Sequence, residues 1–271
     1  MVSSPLVSFP DLNSLNPQQR EAVEHRGGPL LIFAGAGSGK TRVVTTRIAA
    51  LLADGVSPWR ILAVTFTNKA AREMRERVET LVGTAAAQGM WIGTFHSLCG
   101  RLLRSEGAAI GIASNFVIYD SADQLSTLRT LLKKRNVDEK VFRPAAILGA
   151  ISKAKERLLS PSEFRSIAIH PLDQIAADLF AEYEEELRRA NALDFDDLLV
   201  FAYRLLEGSP EVRTKYQERF LHVLVDEYQD VNLAQYLIVQ TLGAKHRNVV
   251  VVGDDDQSIY GWRGADVALI L

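Results

Sequence analysis

The sequence predicts an α/β protein: a parallel sheet with helices on both faces, interrupted by an inserted all-helical stretch. Two observations carry this. Five short runs, at residues 29–35, 61–66, 90–95, 222–227 and 248–254, are apolar on both faces and separated by helical patterns, as the strands of a doubly covered parallel sheet must be. Between about 114 and 212, helical patterns dominate. The chain of 271 residues, 47% hydrophobic, is long enough for a substantial core or two domains. The expected organisation is a first part of the sheet domain at 1–113, an inserted helical subdomain at 114–212 and a second part of the sheet domain at 213–271.

Taken in order, the opening "MVSSPLVSFPDLNS" has neither the basic start nor the apolar core of a secretory signal and reads as a short flexible lead. The run "PLLIFAG" then breaks into Gly35, Gly37 and Gly39, with Lys40 and Thr41 following at once. A helix begins there and runs to about Asp54, placing Val43, Val44, Ile48, Leu51 and Leu52 on one face. "ILAVTF" is a second strand, followed by the helix "KAAREMRERV", in which Glu73 and Arg77 form a solvated pair four residues apart. "MWIGTF" is a third strand. The helical pattern after it, "FHSLCGRLL", holds Cys99 as a core thiol. "FVIYD" is one more short strand before the helical stretch, where Ile175, Leu179, Tyr183 and Leu187 form a buried stripe and "EYEEELRR" the solvated face. "HVLVDE" and "NVVVVGD" complete the sheet.

Lys and Arg number 31 against 33 Asp and Glu, a net charge of −2, so bulk charge gives no support for nucleic-acid binding, although a local groove remains open. One cysteine excludes an intrachain disulfide and a cysteine-rich metal site. No apolar run approaches the ~20 residues that span a bilayer. A soluble, intracellular, cytoplasmic protein is expected.

Ligands of open parallel sheets gather beyond the carboxyl ends of the strands, and the chemically interesting residues fall there. "AGAGSGKT", comprising Ala34, Gly35, Ala36, Gly37, Ser38, Gly39, Lys40 and Thr41, fits the P-loop pattern with Ala34 in place of the first glycine. Glycines let backbone N–H groups converge, the helix N-terminus adds its positive dipole end, Lys40 adds a charge and Thr41 a hydroxyl for a hard cation. ATP with Mg2+ is the implied ligand. In "VLVDEYQD", Asp226 can hold the Mg2+ shell opposite Thr41, and Glu227 can orient and deprotonate an attacking water. In "VVGDDDQSIYGWRGA", the three consecutive acids point in different directions, which suits a loop with helix-capping acids better than a metal site. Gln257 suits a γ-phosphate sensor, and Tyr260 and Trp262 are either core aromatics or a stacking platform for bases.

"LNPQQREAV" (15–23), "AGAGSGKTR" (34–42), "AVTFTNKAAREMRERV" (63–78), "GTFHS" (93–97), "DFDDLL" (194–199), "VDEYQD" (225–230) and "VGDDDQSIYGWRGAD" (252–266) occur in this order. Together they resemble the UvrD/PcrA/Rep group of superfamily 1 DNA helicases, from about Leu15 to the last residue. The resemblance implies a RecA-like ATP-binding fold and an ATP-driven motor that moves 3′ to 5′ on single-stranded DNA, opening single-strand/duplex junctions in repair or replication. It implies that Gln19 reads the adenine and Arg42 packs on it. It also implies that Phe66, Asn68, Thr94 and His96, continued by Tyr260, Trp262 and Arg263, contact the DNA. Asn68 as a helix cap and His96 as a partner of a backbone carbonyl are the plainer alternatives. By the same resemblance the chain is the N-terminal half, without the second RecA-like domain that closes over ATP, so that on its own it would bind nucleotide without turnover. The helicase part of a RecB- or AddA-like recombination nuclease is the rival enzyme reading.

Overall fold

The computed structural model describes residues 9–35 and 37–254. The lead at 1–8, Ala36, Gln257, Tyr260, Trp262 and Arg263 lie outside the described residues. These divide into two compact units. The first takes residues up to Leu98, Ser209–Val231 and the residues from Gln235; the second takes Cys99–Gly208 and Asn232–Ala234. In chain order the elements are α1 (Pro17–Glu24), β1 (Leu30–Phe33), α2 (Lys40–Ala53), β2 (Ile61–Thr65), α3 (Asn68–Val82), α4 (Thr84–Ala87), β3 (Trp91–Thr94) and α5 (Phe95–Glu106). There follow β4 (Val117–Ile118), α6 (Ser121–Lys134), α7 (Pro144–Glu156), α8 (Pro161–Ile167), α9 (Pro171–Arg189), β5 (Ala192–Leu193) and α10 (Phe195–Gly208). The last are α11 (Pro210–Arg219), β6 (His222–Val225), α12 (Leu233–Gly243) and β7 (Val249–Gly253).

The five expected strands form one sheet in the order β1-β7-β6-β2-β3, and every neighbouring pair is parallel. The register sets Phe33 beside Gly253, Val225 beside Val251 and Thr65 beside Thr94. All five carboxyl ends therefore open on one edge. β2, second from the β3 edge, is buried at every position. Ile61 and Ala63 pack with Val44, Ile48, Leu51 and Met74 on one face, while Leu62 and Val64 are buried on the other. β1 departs from the expected two-sided burial: Leu30 and Ile32 on one face pack against the core, while Leu31 and Phe33 on the other are about half exposed.

α2 was expected to bury one face. Instead every residue from Val43 to Leu52 is buried. Val44, Ile48, Leu51 and Leu52 face the sheet and α3, and Val43 and Ala50 pack against Leu15 and Val23 beside α1. A helix sandwiched between layers has no solvated stripe. α3 begins on Thr67, whose hydroxyl accepts from the Ala70 N–H at 3.1 Å, so Asn68 is the first helical residue and not the cap. Glu73 and Arg77 do pair, at 3.7 Å and in the open, where such pairs contribute little. Cys99 is a buried thiol whose pKa is pushed up by burial.

The second unit is helical except for one short parallel pair, in which Val117–Ile118 joins Ala192–Leu193. "FVIYD" thus does contain a strand, but not one of the main sheet. Leu179, Tyr183 and Leu187 are buried along α9 as expected, with Ile175 half-buried behind them. The unit also encloses a buried charge cluster. Lys155 Nζ donates to Asp194 Oδ2 at 2.7 Å and to Asp197 Oδ1 at 2.6 Å, and the Tyr183 hydroxyl donates to Asp194 Oδ2 at 3.1 Å. The two aspartates cap α10 reciprocally through their backbone N–H groups. Burial pushes the Asp197 carboxyl up to about 7 against the pull of Lys155. Among the described residues, no helix is long and apolar enough to cross a membrane.

Removing one member of such a cluster strands the others. Lys155→Met is expected to cost ~3–5 kcal/mol at neutral pH. Burial already raises the Asp197 carboxyl, and losing the pull of Lys155 raises it further, so the fold favours its protonated form and the variant loses stability as pH rises above the unfolded carboxylate value of ~4. Hydrogen exchange of the α7 and α9 amides at pH 5 and pH 8 checks this, with the larger loss of protection expected at pH 8.

Candidate functional site

The loop between β1 and α2 is wrapped around one ammonium group. Lys40 Nζ donates to the carbonyls of Ala34 at 2.6 Å and Gly35 at 3.1 Å, and to Asp254 Oδ2 at 2.9 Å. The Lys40 side chain is 10% exposed and that of Asp254 2%. Asp254, the first of the three consecutive acids, is therefore the counter-ion of Lys40 and not a solvated helix cap. Strand order explains this: β7 lies beside β1, so the residue after β7 reaches the residue at the start of α2.

Two of the loop's glycines are required by backbone conformation. Gly37 has φ of 74° and Gly39 a φ of 84°, whereas Gly35 lies outside the left-handed region. A Cβ at Gly39 would also meet Gln19 Nε2, the end of a flexible side chain, at 2.9 Å and push that amide aside. That amide donates to the Ser38 carbonyl at 2.8 Å. Its oxygen accepts from the Asn16 N–H at 3.1 Å, completing a capping box at the start of α1. Gln19 thus fastens α1 to the loop, and both ends of its amide already have protein partners. Arg42 is exposed and donates to Ser14 Oγ at 2.6 Å, at the wall of a cavity of about 550 Å³ that Asp11, Thr46 and Leu81 also line.

α1 is itself held by Arg47, a buried residue of α2. Its guanidinium donates to the carbonyls of Ala22 at 2.8 Å and His25 at the C-terminal end of α1. Burial, with Arg26 nearby, lowers its pKa to about 10. A buried cation on the last carbonyls of a helix satisfies them and complements the dipole.

Beyond β6, Thr41 Oγ1 donates to Asp226 Oδ2 at 3.5 Å. Burial first, and then the charge of Glu227, raise the Asp226 carboxyl to about 6. A buried carboxylate next to a second carboxylate and a hydroxyl is a hard-oxygen set that a divalent cation relieves, which fits Mg2+. Among the described residues no three His, Cys, Asp or Glu side chains cluster so that they could hold a metal ion by themselves. Glu227 follows in the left-handed region, with φ of 55° and ψ of 44°. Its N–H donates to Asp226 Oδ1 at 3.0 Å, and its Oε2 accepts from Gln229 Nε2 at 2.6 Å.

Of the residues read as a DNA track, Phe66 is half-buried just past β2 and Asn68 is exposed at the start of α3. Thr94 is buried, and its hydroxyl accepts from the Ser97 N–H at 3.2 Å, capping α5. His96 is half-buried in the first turn of that helix. Thr65 and Thr94 are paired in register, so Phe66 and His96 follow neighbouring strand ends.

A strand, a glycine loop closed on a lysine and a helix opening with Thr41 define the P-loop class of α/β domains. The family model described as the UvrD/REP helicase N-terminal domain matches residues 15–271, and the chain belongs to that family. It is 54% identical over 261 residues to the ATP-dependent DNA helicase PcrA of Bacillus subtilis, covering 96% of this chain and 35% of that protein. It is 52% identical to PcrA of Staphylococcus aureus strain Mu50, with 96% and 36% covered, and 48% identical to PcrA of Leuconostoc citreum, with 96% and 35% covered. The chain thus spans about 35% of the length of these curated relatives.

Gly39→Ala combines a left-handed backbone with a clash. We expect it to destabilise the loop by at least ~1–2 kcal/mol and to weaken nucleotide binding, read by thermal melting and by titration of a fluorescent ATP analogue. Gly35→Ala, which has open space at its Cβ, is expected to melt close to the wild type.

Proposed function

We propose that this chain is the ATP-binding part of an ATP-dependent DNA helicase, a 3′ to 5′ translocase on single-stranded DNA that separates duplexes at single-strand/duplex junctions. The observation that carries the reading is the convergence of Lys40, Thr41, Asp226 and Glu227 on one edge of a parallel sheet, in a chain about half identical to helicases. The relatives are named helicases, which favours this over the recombination-nuclease reading.

In this reading the triphosphate displaces Asp254 from Lys40, and the loop N–H groups between Gly35 and Thr41 receive the phosphate oxygens. Thr41 and Asp226 hold Mg2+, which neutralises phosphate charge. Glu227 orients a water and takes its proton, and Gln257 senses the γ-phosphate. Gln19 and Arg42 take the adenine, which requires Gln19 to exchange at least one of its present partners. Phe66, Asn68, Thr94 and His96, with Tyr260, Trp262 and Arg263, form the DNA track; the burial and capping role of Thr94 suit its backbone better than its side chain for this. The inserted helical subdomain at 114–212 and a second RecA-like domain elsewhere in the full-length protein complete the motor, which would work in the bacterial cytoplasm at the nucleoid.

The test is DNA-stimulated ATP hydrolysis by the full-length protein. Glu227→Gln should keep nucleotide affinity and lose ~10²–10⁴-fold in turnover, the usual worth of a general base. Hydrolysis at the wild-type rate would remove Glu227 from that role. Trp262→Ala should weaken single-stranded DNA binding by ~1–3 kcal/mol irrespective of base sequence, measured by anisotropy with oligo-dT and mixed oligonucleotides.

A further inference from the structure

Gln229 had no part in the reading of the site, yet it is 1% exposed among the buried polar residues of the first unit. Its amide spans two elements. Nε2 donates to Glu227 Oε2 at 2.6 Å, and Oε1 accepts from the Asp254 N–H at 3.0 Å. Asp254 in turn pairs with Lys40 at 2.9 Å. The fold has made room for this bridge. A Cβ on Gly253 would stand 3.2 Å from Gln229 Oε1 and 3.5 Å from its backbone N, so a side chain at 253 would press directly on the amide.

We infer that Gln229 is a positioning residue for hydrolysis: its amide fixes the Glu227 carboxylate and ties it to the backbone of Asp254, the counter-ion of Lys40. This rests on the reading of Glu227 as the base. An amide suits the task chemically. It donates to a carboxylate without being able to protonate it, so it orients the base and leaves it able to accept a proton. Glu227 sits on a tight turn in the left-handed region, and the Gln229 amide is a hydrogen-bond donor to its carboxylate from two residues further along the same turn. The amide also accepts from a backbone N–H that directly follows β7. Displacement of Asp254 from Lys40 by a phosphate would then be felt at Glu227 through a single side chain.

The test uses DNA-stimulated ATPase of the full-length protein, with nucleotide affinity measured separately by titration of a fluorescent ATP analogue. Gln229→Leu removes both bonds. Gln229→Glu keeps the acceptor for Asp254 N–H but sets a carboxylate against Glu227. Both should lower kcat on the order of 10²-fold, the effect of misplacing a reacting group by about an ångström, while KM and nucleotide affinity stay within about twofold. In a Glu227→Gln background, Gln229→Leu should cause no further loss, since there is no base left to orient. A slow Glu227→Gln enzyme alongside wild-type kcat in either Gln229 variant would overturn the inference alone. A Glu227→Gln enzyme at the wild-type rate would sink the base reading and this inference with it. Loss of nucleotide affinity in parallel with kcat in both variants, or full additivity in the double variant, would reduce Gln229 to a structural residue.

Discussion

The architecture of the first unit turns on one nearly buried ammonium group. A lysine charge drawn out of water has to be compensated at close range, or it costs several kcal/mol. Lys40 meets this with two carbonyls of its own loop and one carboxylate from Asp254, far away in sequence. The carbonyls can converge because Gly37 and Gly39 take left-handed backbone conformations. The carboxylate can arrive because β7 runs parallel to β1 and next to it. Placing the loop's partner at the end of a neighbouring strand also places β6 one strand further along, which brings Asp226 to the Thr41 hydroxyl. The phosphate nest, the carboxylate pair and the counter-ion are thus consequences of one strand order.

Most of the sheet was legible in the sequence because doubly covered parallel strands announce themselves as short apolar runs, and all five appear within one or two residues of where they were read. The glycine loop and the acid pair were legible for the same reason, being attached to strand ends. What could not be read depended on which strand lies beside which. Asp254 looked like one of three interchangeable acids until β7 was set against β1, and Gln229 looked like a turn residue until Asp254 came within reach of its amide. Arg47 was hidden because its partners are backbone carbonyls, which leave no trace in side-chain patterns. The strand in "FVIYD" was visible, but its partner at Ala192–Leu193 lies across the whole helical stretch. Thr94 was hidden as a cap because it sits on the last position of β3, where a β-branched residue reads equally well as strand, and Thr67 because its neighbour Asn68 is as good a capping residue.

The second unit solves the same electrostatic problem in the opposite way, and the contrast explains what each lysine is able to do. Lys155 is 2% exposed and has two carboxylates, one of them also held by Tyr183 and both engaged in capping α10. Burial pulls its pKa down, and Asp197 and Asp194 more than reverse this, leaving it above the ordinary lysine value. No anion can replace either aspartate without undoing the start of a helix, so the cluster is a fixed joint between α7, α9 and α10. Among the described residues Lys40 has a single carboxylate partner, and its other two contacts are carbonyls of the loop. Among the described residues, and apart from each glycine and its chain neighbours, no atom lies within 4 Å of where a Cβ of Gly35 or Gly37 would be. In the proposed reading an incoming phosphate would take the place of Asp254 while the carbonyl contacts persist, so that the ammonium would not lose all of its compensation at once. The Asp254 backbone N–H, which donates to Gln229 Oε1, would keep that residue tied to Gln229 and through it to Glu227. Under the proposed reading, exchange at the lysine and orientation of Glu227 would be two ends of one hydrogen-bonded chain.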